Sequence, residues 1–161
     1  MQKFPIKCEF DGVIIKNLHK ITDQRGWLAE LYRQDELNEN LHPVMAYVSS
    51  TKPGTSRGPH EHRGQSDIFC FIGTSVFRIY LWDNRRDSST YGRKCVFETE
   101  PDKITLVIVP PGIVHAYKNI GKNNGLVFNA PNRLYAGKGK KHALDEIRYE
   151  NDKESPFKLD N

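Results

Sequence analysis

Short apolar runs, many of them alternating with polar residues and parted by turn residues, recur along the chain: "GVIIKNL", "WLAELYR", "VMAYVSS", "DIFCFIG", "SVFRIYLWD", "KCVFETE", "ITLVIVP", "GIVHAYKNI" and "GLVFNA". Many short strands at this spacing predict an all-β sandwich or barrel. Helical signal is thin. "QDELNENL" and "HALDEIR" each predict one to three turns, and neither carries a long stripe of 3.6-residue period.

In "SVFRIYLW", alternation puts Phe77, Ile79 and Leu81 on one face and Val76, Arg78, Tyr80 and Trp82 on the other. Both faces carry apolar bulk, so this strand is expected to be covered by a partner sheet on one side and by something further, such as a second subunit, on the other. The "GTS" link after "DIFCFI" reads as a hairpin turn. No linker or internal repeat divides the 161 residues, so one domain over 1–161 is expected, with "ENDKESPFKLDN" as a polar surface arm.

Composition narrows the classes. Without a run of about 18 apolar residues, and with "MQKFPIKCEF" lacking the apolar core of a secretion signal, the expectation is a cytoplasmic protein with no membrane span. Cys8, Cys70 and Cys95 are odd in number and lack CxxC spacing, which suggests neither a disulfide framework nor a thiolate zinc site; Cys70 reads as a small core hydrophobe. A net charge of +4 with interspersed signs mildly favours anionic ligands. The basic run "GKGKK" reads as a solvated loop, and without a basic helix, zinc finger or RNP-type motif nucleic-acid binding is not expected.

Two segments carry chemistry. In "GTSRGPHEHRGQSD", His60 and His62 share a face of an extended segment while Glu61 points the other way, and Asp67 follows as a nearby carboxylate. In "PPGIVHAYKN", Ile113, His115, Tyr117 and Asn119 share one face. From residue type alone these histidines are metal ligands, a proton-transfer base, or polar strand-edge residues. His60, His62, His115 and Asp67 together would suit a divalent first-row transition metal such as zinc, iron or manganese. His19, His42 and His142 lack partner spacing and read as surface residues.

The spacing of Gly54, His60, His62, Asp67 and Gly73, then of Pro110, Gly112, His115 and Asn119, resembles the two cupin motifs, and so implies a small β jelly-roll barrel with few short helices. "DQRGWLAELYR", "SRGPH", "WDNRRDSSTYG", "VPPGIVHAYKNIG", "NAPNRLY" and "DEIRY", in that order, resemble the nucleotide-sugar 3,5-epimerases of the dTDP-4-dehydrorhamnose epimerase family over roughly residues 23 to 150. That resemblance implies a homodimer acting without metal or other cofactor on a 4-keto-6-deoxy sugar carried on a nucleoside diphosphate.

By family position His60 is the base, Arg57 a diphosphate contact, and Arg25 and Arg78 further nucleotide contacts, with His62 and His115 beside the substrate. The family's acid tyrosine falls at Phe128, so water or another tyrosine, Tyr117 or Tyr135, would supply the proton. The enolate-stabilising lysine is replaced around Ser66 and Asp67. The carboxylate that orients the base falls at Asp152, or its place is taken by Asn151. The pattern leaves three other readings: a 3,4-ketoisomerase of the same sugars, which also carries an R-G-x-H-x-H motif, a metal-dependent cupin enzyme, and a non-catalytic sugar-nucleotide-binding cupin.

Overall fold

The computed structural model describes residues 8–160, so the first seven residues of "MQKFPIKCEF" lie outside the described residues. Among the described residues twelve strands form: β1 (Ile14–Leu18), β2 (Ile21–Asp23), β3 (Gly26–Leu28), β4 (Tyr47–Thr51), β5 (Ser56–His62), β6 (Asp67–Phe71), β7 (Phe77–Asp83), β8 (Lys94–Glu98), β9 (Ile104–Val109), β10 (Ile113–Asn119), β11 (Gly125–Asn129) and β12 (Glu146–Arg148). Two antiparallel five-stranded sheets, ordered β1-β9-β6-β11-β4 and β12-β5-β10-β7-β8, face each other as a jelly roll, and β2 and β3 make a separate ribbon. Among the described residues no helix is long and apolar enough to cross a membrane.

Alternation assigns each side chain to a layer. Phe69, Phe71, Phe77, Ile79, Leu81, Val107, Val109 and Ile113 fill the space between the sheets. Side chains of this size each stabilise the fold by about 1.5–3 kcal/mol when fully buried. Ile68, Cys70, Leu106 and Ile108 point the opposite way into an outer cluster on the first sheet, so every residue of β6 and β9 is buried. Tyr80, Trp82, Val114 and Ala116 form a third cluster behind the second sheet.

Three sequence expectations are corrected here, those for "WLAELYR", "HALDEIR" and the cysteines, while the short helical turns expected in "QDELNENL" do form. Of "WLAELYR" only the first two residues extend a strand; Ala29 and Leu31 instead cover the outer cluster. "QDELNENL" folds as two single-turn 3-10 helices, Gln34–Glu36 and Glu39–Leu41, which bring Leu37 and Leu41 onto the same cluster. "HALDEIR" gives no helix, because Glu146–Arg148 pairs with the edge of β5, where the ladder supplies the backbone partners that an isolated turn would lack. Cys8 and Cys95 form a disulfide across 87 residues, a pairing no local spacing could reveal. Cys70 is a buried thiol, as its apolar context implied.

The second face of β7 is covered from within the chain. Phe157 and Leu159 of the C-terminal arm, with Tyr149, pack on Tyr80 and Trp82, the Trp82 and Phe157 rings lying 5.8 Å apart. Lys94 fastens the arm by an ion pair to Asp160 at 3.0 Å while lying over the Tyr80 and Trp82 rings.

Candidate active site

The second sheet positions the histidines. β5 pairs with β10 so that His60 sits opposite His115 and Arg57 opposite Tyr117, three residues on one strand against two on the other. The extra residue is a bulge at Gly58–Pro59. Pro59 has no N–H for the ladder, and Gly58 has φ +76° with its would-be Cβ 2.6 Å from the His115 carbonyl oxygen, so no side chain fits there. Strict alternation would send Arg57 and His60 to opposite faces. The bulge turns both into one cavity.

That cavity, about 1070 Å³, opens between the sheets beneath the segment 131–146. His60, His62 and Phe69 line its depth, and Arg57, Arg133, Lys140 and Arg148 bring positive charge to its walls. Tyr117 reaches it from β10 with its ring packed among Phe69, Phe71 and Phe77. Tyr47 of β4 approaches from the opposing sheet, and Tyr135, on the loop after β11 with its amide 3.2 Å from Met45 Sδ, also lines the cavity.

The histidine rings form one cluster. His60 and His115 have ring centroids 4.3 Å apart, and His62 lies 5.7 Å from His60 and 6.0 Å from His115. His115, behind the cavity wall, donates from Nδ1 to the Ile113 carbonyl at 3.0 Å. His62 donates from Nδ1 to the Asp145 carbonyl at 3.1 Å. Both therefore turn Nε2 toward buried Asp67, whose Oδ2 is 3.2 Å from His62 and 3.5 Å from His115.

Asp67 is held in turn by Gln65 and Asn129 donating to its Oδ1 at 3.1 and 2.9 Å. His115 Nε2 is buried and accepts no hydrogen bond. Three imidazole ligand atoms lie within 4.8 Å of one another. With two imidazoles oriented by carbonyls and a carboxylate beside them, the donor set fits a first-row divalent cation.

Electrostatics separate the three rings. Burial, reinforced by the neighbouring His115 and His62, lowers the His60 pKa to about 2, so His60 is a neutral base at working pH. Burial also lowers His115, against the pull of Asp67. For His62 burial works downward too, but the hydrogen bond and charge of Asp67 prevail and raise its pKa. Burial favours a neutral Asp67, yet the His62 bond and the two histidines hold its pKa down at about 2.

The carboxylate facing His60 is Glu146, its Oε1 3.7 Å from His60 Nε2, and Arg148 holds Glu146 at 2.7 Å. Neither residue was singled out in the sequence, because "HALDEIR" read as a helix hides the period-two alternation that places Glu146 and Arg148 on one face of a strand. Asp152, assigned that orienting role by family position, lies in the turn after β12, accepts the Glu154 amide at 2.9 Å and lines no part of the cavity. Asn151 is exposed in the same turn.

Three further candidates lie elsewhere. Arg25 is exposed at the tip of the β2–β3 ribbon and pairs with Asp23 at 2.6 Å. Arg78 projects from β7 away from the inter-sheet core and pairs with Glu98 at 2.8 Å. Phe128 alternates with inward-facing Val127 and Asn129, so its ring joins the outer cluster and does not reach the cavity. The residues read as surface fare differently: His42 bonds the Gln34 and Leu37 carbonyls, while His142 and Lys140 of the basic run reach the cavity mouth.

An antiparallel jelly roll with imidazoles converging at the base of an inter-sheet cavity defines the cupin class. Within it, the family model of dTDP-4-dehydrorhamnose 3,5-epimerase matches residues 7–148, and the chain belongs to that family. The spore coat polysaccharide biosynthesis protein SpsL of Bacillus subtilis strain 168 is 38% identical over 112 residues, covering 70% of this chain and 73% of the relative. The probable low-salt glycan biosynthesis epimerase Agl13 of Haloferax volcanii is 36% identical over 125 residues, covering 76% and 79%.

Crystal structures agree on the fold. A dTDP sugar isomerase from Desulfovibrio desulfuricans G20 superposes with TM-score 0.75 at 21% identity over 89% of this chain and 87% of its own. The dTDP-4-dehydrorhamnose 3,5-epimerase of Bacillus anthracis str. Ames, crystallised with TDP and PPi, does so with TM-score 0.75 at 19% identity over 97% and 90%.

Proposed function

We propose that this chain, as one jelly-roll domain spanning 1–161, is an epimerase of a nucleotide-linked 4-keto-6-deoxyhexose in cytoplasmic glycan or surface-polysaccharide biosynthesis. The observation that carries the reading is His60: a neutral imidazole facing Glu146 at 3.7 Å, at the depth of a cavity walled by arginines and a lysine. Those cations suit a diphosphate, for which the planar guanidinium is the strongest partner. Arg57, its Nε and Nη2 fixed by the Thr51 hydroxyl and Ser50 carbonyl at 3.1 Å each, is the best oriented of them.

A proton next to a ketone is acidic because the carbanion delocalises onto oxygen as an enolate. His60 takes that proton, and Glu146 stabilises the imidazolium that forms. Asp67 beside His62 favours the protonated form of that ring, a form that would stabilise an enolate oxygen developing on its side of the site. Inversion then requires a proton delivered to the other face of the carbon. His60, His115 and Tyr117 share one wall of the barrel, so the donor is sought among the other tyrosines that line the cavity, Tyr47 on the opposing sheet and Tyr135 on the loop after β11. Burial raises Tyr47 to about 12 and its hydroxyl accepts from Asn129, which leaves Tyr135 as the more accessible donor and Tyr117 as a wall of the sugar site.

These steps move only protons between side chains and substrate, and they call on no cofactor. Incubation with a dTDP-4-keto-6-deoxyhexose in D2O, followed by NMR, is expected to show deuterium entering beside the ketone, and His60→Asn to slow that exchange by about 10²–10⁴-fold. Exchange undiminished in His60→Asn would remove His60 as the base.

A homodimer is also proposed, on the exposure of Ile21, Trp27 and Leu28 of the β2–β3 ribbon and of Val48 on edge strand β4. Sedimentation velocity is expected to give about twice the 18.6 kDa chain mass. A species at the chain mass throughout the micromolar range would exclude the dimer.

A further inference from the structure

The loop that carries the basic run lies over the cavity, and the proposed reaction leaves its charge unused. Residues 133–144 contain Arg133, Lys138, Lys140 and Lys141 and no carboxylate. The whole chain has a formal net charge of +4, so its entire positive excess sits in these twelve residues. Lys94 and Lys103 elsewhere have carboxylate partners at 3.0 and 2.6 Å, whereas among the described residues Lys138, Lys140 and Lys141 have none. Of the carboxylates that line the cavity, Glu146 and Glu150 are already paired with Arg148. Like charges crowded on one loop without counter-charge favour a multivalent anion beside them.

The loop is built to move as a unit. Both of its ends are tied to the turn between β5 and β6: the Asn132 side chain accepts the Ser66 amide at 2.7 Å, and the Asp145 carboxylate accepts the Gly64 and Gln65 amides at 2.9 and 2.8 Å. Between these anchors the backbone bonds are internal, from Gly137 to Leu134, from Lys140 to Gly137 and from His142 to Ala136. The bond described from residues 134–144 to the barrel is that of the Tyr135 amide to the Met45 sulfur, a weak acceptor. Closed on itself with its ends together, the segment is an Ω-loop. Four of the five residues 136–140 have positive φ, and two of them, Ala136 at +53° and Lys140 at +58°, are not glycine. Such backbone conformations gather at ligand clamps and switch segments. Leu134, Tyr135 and Leu144 line the cavity yet remain between 40% and 54% exposed, so apolar surface is left for closure to bury.

We infer that residues 133–144 form a lid that closes on the diphosphate of the bound nucleotide sugar and carries Tyr135 over the sugar as it closes. Lys140 and His142 line the cavity on the same loop as Tyr135, so an anion that draws the lysines inward moves the hydroxyl with them. His60 stands on β5, outside the lid, and takes its proton whether the lid is open or closed. Binding energy from the nucleotide end is thereby used to place the donor at the sugar end. The role given to Tyr135 rests on the proposed function; closure on a nucleoside diphosphate does not.

In hydrogen-exchange mass spectrometry, millimolar dTDP, with GDP as a second probe, is expected to slow the amides of 136–144 by about tenfold while leaving β9 unchanged. Slowing by neither nucleotide would overturn the inference. The combined variant Lys138→Ala, Lys140→Ala and Lys141→Ala, all at exposed positions, is expected to weaken dTDP binding by about tenfold. With saturating dTDP-4-keto-6-deoxyhexose it is also expected to raise the ratio of deuterium exchange to inversion by about tenfold, and arginine at the same three positions to restore both properties. A cationic patch that does not move would change binding alone, so an unaltered ratio in the alanine variant would likewise overturn the lid.

The same samples keep the two proposals apart. Unmodified protein whose loop is protected by nucleotide but which exchanges no sugar proton sinks the epimerase reading and leaves closure on the nucleotide standing. Protein that exchanges the sugar proton while its loop amides ignore both nucleotides sinks the lid alone.

Discussion

One extra residue in β5 decides which side chains the cavity contains. The Gly58–Pro59 bulge places Arg57 and His60 on one face, where strict alternation would separate them. The opposite outcome holds at Phe128. Its place in the family resemblance suggested a missing acid, yet the period of β11 sends that ring outward and leaves the cavity to Tyr47, Tyr117 and Tyr135. Phe128→Tyr is accordingly expected to leave the rate unchanged and to alter stability by under about 1 kcal/mol, whereas Tyr135→Phe is expected to reduce product formation by ten- to a hundredfold or more while preserving exchange of the abstracted proton. Steady-state rates and solvent-deuterium incorporation, measured side by side on both variants, check this; a rate gain in Phe128→Tyr would contradict the outward orientation.

At the scale of elements, β12 is the piece on which His60 depends. It is only three residues long and lies at the sheet edge, so its pairing with β5 needs an anchor. Glu61, on the face of β5 opposite the histidines, provides it by accepting bonds from the Tyr149 hydroxyl at 2.5 Å and from the Asn84 amide at 2.9 Å. Burial and the Glu61 carboxylate both push the Tyr149 pKa upward, so the hydroxyl keeps its proton and stays a donor. Removing that hydroxyl leaves a buried carboxylate short of a donor, at a cost of about 1–3 kcal/mol. Tyr149→Phe is expected to lower the urea midpoint and to speed amide hydrogen exchange in Glu146–Arg148 more than in β9; equal protection in both strands would show that β12 is held by other means. "DEIRY" supplies Glu146, Arg148 and Tyr149, while Glu61 and Asn84 join them from elsewhere in the chain. Its role was illegible because an edge strand of three residues has too short a period to be told from a helical turn.

For the whole molecule, the second apolar face of β7 was readable and its cover was not. Tyr80 and Trp82 called for a partner, and a polar-looking C-terminal arm supplies it through Phe157 and Leu159. Removing residues 156–161 is expected to cost roughly 2–4 kcal/mol, with a red shift of tryptophan fluorescence as Trp82 meets water. A truncated protein of unchanged melting temperature and emission would show that another surface covers this face.

The all-β class, the division of β7 into two faces and the pairing of His60 with His62 and of His115 with Tyr117 follow from the sequence alone, because a period of two fixes which neighbours share a face. Which faces meet is decided only in three dimensions. The bulge that gathers Arg57 with His60, the Cys8–Cys95 pairing, the docking of β12 that brings Glu146 to His60, and the convergence of His62 and His115 on Asp67 all join residues far apart in the chain or shift a local register. Local pattern carries no information about such contacts, since their geometry depends on how two sheets stack and where their edges end.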